Sequence, residues 1–280
     1  MVSLPLPPSE TPDFAVPACV APADVARLVR EAIEGERRFG LDPPLAWPVV
    51  NGVESSRPKG APPTVPGSAA ATERFDSATV TGPRLDAERA RRRALLDPIA
   101  AEASACTACV LCEKRRQAVF GVGDPCARLM FVGEGPGADE DRQGEPFVGA
   151  AGQLLDRMIQ AMGLRREQVY IGNVVKCRPP ENRTPEALEI VSCLPYLRRQ
   201  IQIIQPEVIC ALGRVAVGAL LSQNVAITRV RGRFFEFEGI AVLPTFHPAY
   251  LLRTPGDKRL AWEDLQKVMD RLGLPPQRQG

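Results

Sequence analysis

A chain of 280 residues can form one large or two small domains, and its net charge of +2 excludes a protein that binds nucleic acid through an overall basic field. The N-terminus lacks the basic and apolar segments of a secretory signal, and no stretch is apolar over the length that a membrane crossing needs. Eight cysteines in such a chain favour a cytoplasmic protein with metal or redox chemistry over a disulfide scaffold, and no membrane partner is expected.

The first third of the chain differs from the rest in composition. Half of the 28 prolines lie within residues 1–90, which contain no convincing strand. We therefore predict a largely extended, mostly disordered N-terminal arm over residues 1–94 and one globular domain over residues 95–280. The apolar spacing of residues 24–39 predicts one short amphipathic helix in the arm, which either packs on its own domain or binds a protein partner.

Five cysteines have a spacing that indicates a shared function. Cys106, Cys109 and Cys112 form a C-x-x-C-x-x-C motif, and Cys177 and Cys193 follow further along the chain. Thiolates delivered from distant parts of a chain suit a [4Fe-4S] cluster or a zinc site, and the spacing alone leaves both open.

Four short apolar runs predict buried strands of a parallel sheet. They are residues 128–132, 169–174, 208–212 and 240–246. Helical patterns separate the first three runs, at residues 152–162, 185–204 and 214–221. This alternation predicts an α/β fold, a three-layer α/β/α sandwich around a central, mostly parallel four-stranded sheet. Residues 227–230 and 234–238 flank the sequence RGR and predict a hairpin.

The segment from Gly133 to Gly152, GEGPGADEDRQGEPFVGAAG, follows the first predicted strand. Its glycines allow the backbone to pass close to a ligand. The spacing G-x-G-x-x-A also matches a dinucleotide-binding turn. However, the acidic residues 139–141 would crowd a pyrophosphate, and Pro136 stiffens a turn that needs free amides, so a nucleotide cofactor is disfavoured.

The chemically notable residues follow different strands of the predicted sheet. The Gly133 loop, Asn173 and the only histidine, His247, each come directly after a strand, at the edge where open α/β sheets bind ligands. After His247, Leu251 belongs to an apolar protrusion in an expected exposed loop, and Arg253 follows it. An apolar wedge beside a basic residue suits insertion between stacked bases.

Several of these motifs together resemble the family 4 uracil-DNA glycosylases, the iron-sulfur branch of that superfamily. They are GEGPG with ED downstream, GEPFVGAAGQLL, NVVKCRPPENRTP and HPAYLLR, and the resemblance extends over residues 100–272. It implies a uracil-DNA glycosylase-like domain, acting as a monomer, that hydrolyses the N-glycosidic bond of deoxyuridine in DNA. Such an enzyme flips the base into a pocket, releases uracil and leaves an abasic site.

The resemblance implies roles for the pocket residues. Phe147 is the expected stacking platform for the flipped uracil, and Asn173 the group that distinguishes uracil from cytosine by its donor and acceptor pattern. Glu140 occupies the position expected against C5, where it excludes the methyl group of thymine. Gly137 belongs to the same substrate-binding loop.

The resemblance also implies how the bond is broken. His247 is the expected donor to O2 of the departing uracil anion, acting by electrostatic stabilisation. Glu134 and the backbone around Gly135 are the candidates for holding the attacking water. Family 1 enzymes have an aspartate where this chain has Gly135, so a strong general base is not expected here.

Further residues are implied for DNA and for the cofactor. Leu251 is the candidate wedge and Arg253 the backbone clamp, while Arg178 and Arg183 are candidates for phosphate contacts. The cluster ligands of the family fall on Cys106, Cys109, Cys177 and Cys193. Cys112 is then left over as a spare buried thiol or a replacement ligand, and the cluster is expected to have a structural role.

Two other functions stay open beside the glycosylase. One is a protein that binds and traps uracil-containing DNA, although the chain lacks the basic, histidine-ended insertion of the trapping relatives. The other is a non-catalytic iron-sulfur regulator that binds DNA. Such a regulator would have no reason to combine Phe147, Asn173 and His247 at one pocket.

Overall fold

The computed structural model describes residues 82–222 and 225–275. Helix α1 (Pro83–Ala105) begins within the segment that composition assigned to the arm and continues across residue 95. Its buried Arg92 donates to the carbonyl of Ile204 at 2.6 Å, which joins the helix to the rest of the domain. The amphipathic helix predicted at residues 24–39 lies outside the described residues.

The described residues form a six-stranded sheet with the order β1-β3-β2-β4-β6-β5. The strands are β1 (Val122–Gly123), β2 (Leu129–Gly133), β3 (Tyr170–Asn173), β4 (Val208–Leu212), β5 (Phe235–Phe237) and β6 (Ile240–Thr245). The four central strands, β3, β2, β4 and β6, pair in parallel and are the four predicted strands. Short antiparallel edge strands, β1 and β5, extend this sheet on either side.

Helices cover both faces of the sheet. After α1, they are α2 (Ala138–Gln143), α3 (Ala150–Ala161), α4 (Ala187–Ile204), α5 (Gly213–Leu221), α6 (Ile227–Val230), α7 (Pro248–Arg253) and α8 (Lys258–Leu272). Helices α1, α4 and α5 pack on the face that carries Met130 and Val132, and α3 and α8 pack on the face that carries Leu129 and Phe131. Strand alternation thus fills two cores, and the predicted α/β/α sandwich is confirmed.

The hairpin predicted from residues 227–230 and 234–238 is wrong in its first strand. Residues Ile227–Val230 form helix α6, and β5 pairs instead with the following strand, β6. Glu238 and Gly239 connect the two strands with φ angles of 49° and 78°. Two consecutive positive φ angles are typical of the tight turn that matches strand twist, so this turn sets the pairing.

The carboxyl ends of β2, β3 and β6 lie at the same edge of the sheet. Gly133 pairs with Asn173 in the parallel register, and His247 follows β6 as the N-cap of helix α7. Among the described residues, no helix combines the length and apolar character needed to cross a membrane.

Candidate active site

A cavity of about 580 Å³ opens at this edge of the sheet. The residues predicted for base recognition and catalysis all line it: Glu134, Gly135, Gly137, Glu140, Phe147, Asn173 and His247. Of the residues predicted to contact DNA, Arg183 and Arg253 also line it, whereas Arg178 and Leu251 are not among its lining residues. The fold therefore brings four separate chain segments to one cavity.

Asn173 has an unsatisfied acceptor in this cavity. It ends β3 with 1% of its surface exposed, and its Oδ1 is the one buried side-chain nitrogen or oxygen without a hydrogen-bond partner in the described part of the chain. An unpaired buried acceptor costs about 1–3 kcal/mol, so the amide is arranged for a ligand that donates to it. A Cβ on Gly133 would lie 2.4 Å from this oxygen, and glycine leaves the amide its room.

Phe147 adopts a strained backbone conformation against the cavity. Its φ angle is 55°, a region that costs a non-glycine residue about 1–3 kcal/mol and that clusters at functional sites. The ring centroid lies 5.6 Å from that of His247, with 31° between the ring planes. A Cβ on Gly152 would lie 1.8 Å from the carbonyl oxygen of Phe147, so only glycine lets helix α3 start this close.

Glu140 holds the loop that carries Phe147. One carboxylate oxygen accepts hydrogen bonds from the amides of Val148 and Gly149, both at 3.0 Å, and the other accepts from Gly137 at 3.1 Å. Charge-assisted bonds of this kind are about twice as strong as neutral ones. Glu140 thus fixes the backbone on both sides of the cavity wall, in addition to the predicted contact at C5.

His247 is a neutral imidazole at physiological pH. Burial, helped by the charge of Arg253 and opposed by Glu140, lowers the pKa of His247 to about 4. Its Nδ1 accepts a hydrogen bond from the amide of Ala249 at 3.1 Å, so the proton of the neutral ring resides on Nε2. The ring therefore offers one N–H donor for a ligand.

Glu134 is another ionisable group of the cavity wall. Burial raises the pKa of Glu134 above its ordinary value, and the charge of Arg214 opposes this shift. The carbonyl of Glu134 accepts from the amide of Val175 at 3.1 Å, which anchors the loop to the chain that follows β3. A Cβ on the adjacent Gly135 would lie 2.7 Å from the side chain of Val175, so glycine keeps this contact close.

Leu251 does not form an exposed wedge. The segment predicted as an exposed loop is helix α7, in which Leu251 is 1% exposed and packs with Leu154, Phe246 and Ala261. The helical turn directs the next side chain outward, and Leu252 is 39% exposed. Leu252 is thus the exposed large apolar residue of this segment.

The candidate phosphate ligands differ in how free they are. Arg253 is exposed and lines the cavity. Arg183 lines it too, but its guanidinium donates to both carboxylate oxygens of Glu189, at 2.6 and 2.8 Å. Arg178 donates through Nε to Oδ1 of Asn182 at 2.8 Å, which leaves its outer nitrogens for other acceptors.

All five cysteines of the predicted site line a second, small cavity between helices α1 and α4, together with Arg115 and Lys176. They are Cys106, Cys109, Cys112, Cys177 and Cys193. Within the described ranges, no three Cys, His, Asp or Glu side chains are grouped as ligands of one metal ion. Cys112 is partly exposed and faces the same cavity, so the prediction of a spare buried thiol is wrong in its burial.

Hydrogen-bond donors surround the sulfur atoms of this cavity. The guanidinium of Arg115 donates to Sγ of Cys177 at 3.1 Å, and the amide of Lys176 donates to Sγ of Cys193 at 3.2 Å. Burial raises the pKa of Cys193 to about 12, so an anionic sulfur there requires a bound cation or cluster. A cavity lined by cysteine sulfur atoms that accept hydrogen bonds from N–H groups fits an iron-sulfur cluster.

Two residues of the segment after β3 have positions that the sequence did not indicate. Asn182 lines the first cavity with a φ angle of 57°, directly after Glu181 at 54°. The ability of asparagine to adopt this region is the only signal for it in the sequence. Lys176 is 1% exposed, which no hydrophobic pattern predicts for a lysine.

Comparisons with known proteins identify the family of the chain. Residues 120–266 match the uracil DNA glycosylase superfamily. The type-4 uracil-DNA glycosylase of Sulfurisphaera tokodaii is 46% identical over 192 residues, covering 65% of this chain and 87% of the relative. That of Thermotoga maritima is 47% identical over 181 residues, covering 63% and 94%. A type-5 uracil-DNA glycosylase of Pyrobaculum aerophilum is 34% identical over 166 residues, covering 53% and 72%. The chain therefore belongs to the uracil DNA glycosylase superfamily and, within it, to the type-4 group.

Proposed function

We propose that the protein is a DNA repair glycosylase that hydrolyses the N-glycosidic bond of deoxyuridine in DNA and leaves an abasic site. The observation that carries this proposal is the unpartnered Oδ1 of Asn173, buried in a cavity that also contains Phe147 and the N–H of His247. The printed names of the type-4 relatives support the same activity.

Base recognition follows from the side chains at the inner end of the cavity. The Oδ1 of Asn173 accepts from N3–H of uracil, and the amide nitrogen donates to O4. Cytosine presents an acceptor at N3 and a donor at N4, so it would leave the amide facing like groups. Phe147 supports the face of the ring, and Glu140 stands at the C5 side, where it excludes the methyl group of thymine.

Bond cleavage depends on stabilising the departing uracil anion. Negative charge develops on O2 as the bond to the sugar breaks, and the Nε2–H of His247 donates to that oxygen. A neutral imidazole donates this hydrogen bond without carrying a charge. No charged histidine then has to lose its hydration when the substrate binds. The Nδ1 bond from Ala249 fixes both the tautomer and the direction of this donor.

The attacking water is held at the loop that follows β2. The carboxyl group of Glu134 and the backbone at Gly135 line the cavity, where each can form a hydrogen bond with that water. Because the sugar becomes cationic before attack, positioning contributes more than removal of a proton.

The cysteine cavity holds the cofactor in this proposal. We assign a [4Fe-4S] cluster to Cys106, Cys109, Cys177 and Cys193. Cys112 is a fifth thiol that lines the same cavity. The support for this assignment is the convergence of these cysteines on one cavity and the N–H donors to the sulfur atoms of Cys177 and Cys193. The cluster supplies a rigid crosslink between distant segments.

DNA contacts are assigned to the rim of the cavity. Arg253 and Arg178 contact phosphates, and Arg183 would contact one only by exchanging its ion pair with Glu189 for the phosphate. The predicted wedge role of Leu251 passes to its exposed neighbour Leu252, because a side chain must leave the protein surface to enter a base stack.

The wider setting also remains a proposal. We propose a cytoplasmic monomer with a globular domain that begins with α1, and an N-terminal arm that binds a protein partner. The cysteines of the described residues are free thiols, which supports a reducing compartment.

The test is a duplex oligonucleotide with one uracil, incubated with the protein and then treated with alkali, which breaks the strand at an abasic site. We expect breakage at the uracil, none in a matched oligonucleotide with thymine, and losses of at least about 10²-fold for Asn173→Ala and His247→Ala. No breakage by folded wild type would contradict the proposal. A denaturant-stable adduct with DNA would favour the trapping function instead.

A further inference from the structure

Lys176 lies buried between the two cavities. It is 1% exposed, and its Nζ donates to the backbone carbonyl of Asn173 at 2.9 Å and to Oε1 of Gln200 at 2.6 Å. Both acceptors are neutral oxygens, although burying an ammonium group is costly without an anionic partner. The Lys176 ammonium therefore makes two hydrogen bonds at a desolvation cost that an apolar side chain would not have.

Gln200 continues the network away from the base pocket. It is fully buried on helix α4, and its Nε2 donates to the carbonyl of Phe120 at 2.9 Å and to the hydroxyl of Tyr170 at 3.0 Å. The donors and acceptors of this amide are thus fixed by the surrounding chain, which in turn fixes the position of the Lys176 ammonium.

The backbone of Lys176 contacts the cysteine cavity. Its amide donates to Sγ of Cys193, and its carbonyl accepts from the amide of Val119 at 2.7 Å. Three residues earlier, Asn173 ends β3 and presents the unpartnered Oδ1. Lys176 therefore contacts the lining of the cysteine cavity through its backbone. Its side chain contacts Asn173, the residue proposed to recognise the base.

We propose that Lys176 is a positioning residue for uracil recognition. Its ammonium group donates to the carbonyl of Asn173 and so fixes the backbone that carries the Asn173 side-chain amide. The backbone amide of Lys176 donates to Sγ of Cys193 and so connects the same turn to the lining of the cysteine cavity. This inference rests on the proposed glycosylase function. Lys176 does not touch the base, so its effect reaches uracil only through Asn173.

The experiment replaces Lys176 by methionine, which keeps the length of the side chain and removes its donors. We expect the inhibition constant of free uracil to rise about tenfold and the single-turnover rate on uracil-containing DNA to fall about tenfold, with unchanged iron content per chain. In an Asn173→Ala background, Lys176→Met should cost less than about twofold more, since the residue through which it acts is gone.

Lys267→Met is the control for loss of a lysine that donates to a backbone carbonyl, because Lys267 donates to that of Gly232 at 2.8 Å but is exposed and lines neither cavity. It should leave both readouts unchanged. If Lys176→Met is insoluble, Gln200→Met takes its place and should show the same dependence on Asn173.

Each outcome distinguishes the inference from the function on which it rests. An active wild type with a Lys176→Met variant that binds uracil normally would overturn the inference alone. A full tenfold loss of rate on adding Lys176→Met to Asn173→Ala would also overturn the inference, because it would show a general structural role. Loss of iron from Lys176→Met would overturn it too, because it would show a role in cofactor retention. A wild type without activity on uracil-containing DNA would overturn both.

Discussion

The proposed function assigns uracil selectivity to the acceptor and donor pattern of a single amide, that of Asn173. Asn173→Asp replaces the donor that faces O4 by an acceptor, which repels O4 of uracil, whereas the protonated carboxyl group can donate to N3 of cytosine and accept from its N4–H. We expect activity on uracil to fall by at least about 10²-fold and activity on cytosine to rise above that of wild type. Matched oligonucleotides with one uracil or one cytosine provide the measurement. Unchanged uracil activity would remove Asn173 from the reading role.

The single histidine makes its ionisation directly measurable. The folded pKa of His247, about 4, lies below the ordinary value of 6.5, so the unfolded chain binds this proton more readily. Its contribution to stability is present above pH 6.5 and is lost as pH falls toward 4, and the single-turnover rate should show no step near pH 6.5. NMR titration of the one histidine ring tests this directly, and a midpoint near 6.5 would contradict a neutral, partly buried donor.

Position along the chain predicts some of these residues and not others. Asn173 and His247 directly follow apolar runs, so the sequence alone places them at the ligand-binding edge of a parallel sheet. Leu251 and Leu252 are adjacent and chemically equal, and only the helical phase of α7 decides which of them is buried. Lys176 is hidden from pattern analysis because no hydrophobic pattern predicts a buried lysine, and one of its two acceptors, Gln200, lies on helix α4.

The end of strand β2 requires a residue without a side chain. A Cβ on Gly133 would lie 2.4 Å from Oδ1 of Asn173 and 2.5 Å from the ring of Phe147. Gly133→Ala should therefore displace both pocket groups and reduce the single-turnover rate by at least about 10²-fold.

The control for this substitution is Gly256→Ala, because a Cβ there meets no atom within 4 Å. It should retain wild-type activity. Equal activity of Gly133→Ala and wild type would show that the pocket does not need the close approach of Gly133, Asn173 and Phe147.

Elements were predictable where the local pattern agreed with the tertiary environment. The four central strands are continuous apolar runs because both of their faces are covered, and β2 and β4 are buried at every position. Residues 227–230 begin and end with β-branched apolar residues typical of strands, yet they form helix α6. The turn at Glu238 and Gly239 gives β6 a different antiparallel neighbour, β5. Strand pairing depends on contacts between distant parts of the chain, so the β-propensity of individual residues cannot predict it.

At the scale of the whole molecule, catalysis should reside in the part of the chain that begins with α1. The superfamily match covers residues 120–266, and α1 is anchored to the domain through Arg92. Deleting residues 1–81 should leave the single-turnover rate within about twofold of wild type. An inactive or insoluble product would contradict an independent domain, and a cut at residue 106, which removes α1, serves as the destabilised comparison.

The cofactor proposal predicts a defined metal content. Purified protein should contain about four iron atoms per chain and absorb visible light, and Cys177→Ser or Cys193→Ser should lose iron and melt at a lower temperature. Elemental analysis that finds zinc without iron would contradict the cluster. Because the sequence leaves both metals open, this result decides a question that cysteine spacing alone cannot.

The proposed function requires that this cavity binds uracil in DNA and releases it as the free base. The most direct measurement is the free base liberated from oligonucleotides that carry one uracil, thymine or cytosine, identified by mass spectrometry beside a count of abasic sites. We predict one uracil released per abasic site, none of the other two bases, and almost none from Asn173→Ala or His247→Ala. Release of no base by folded wild type, or equal release by both variants, would contradict the account.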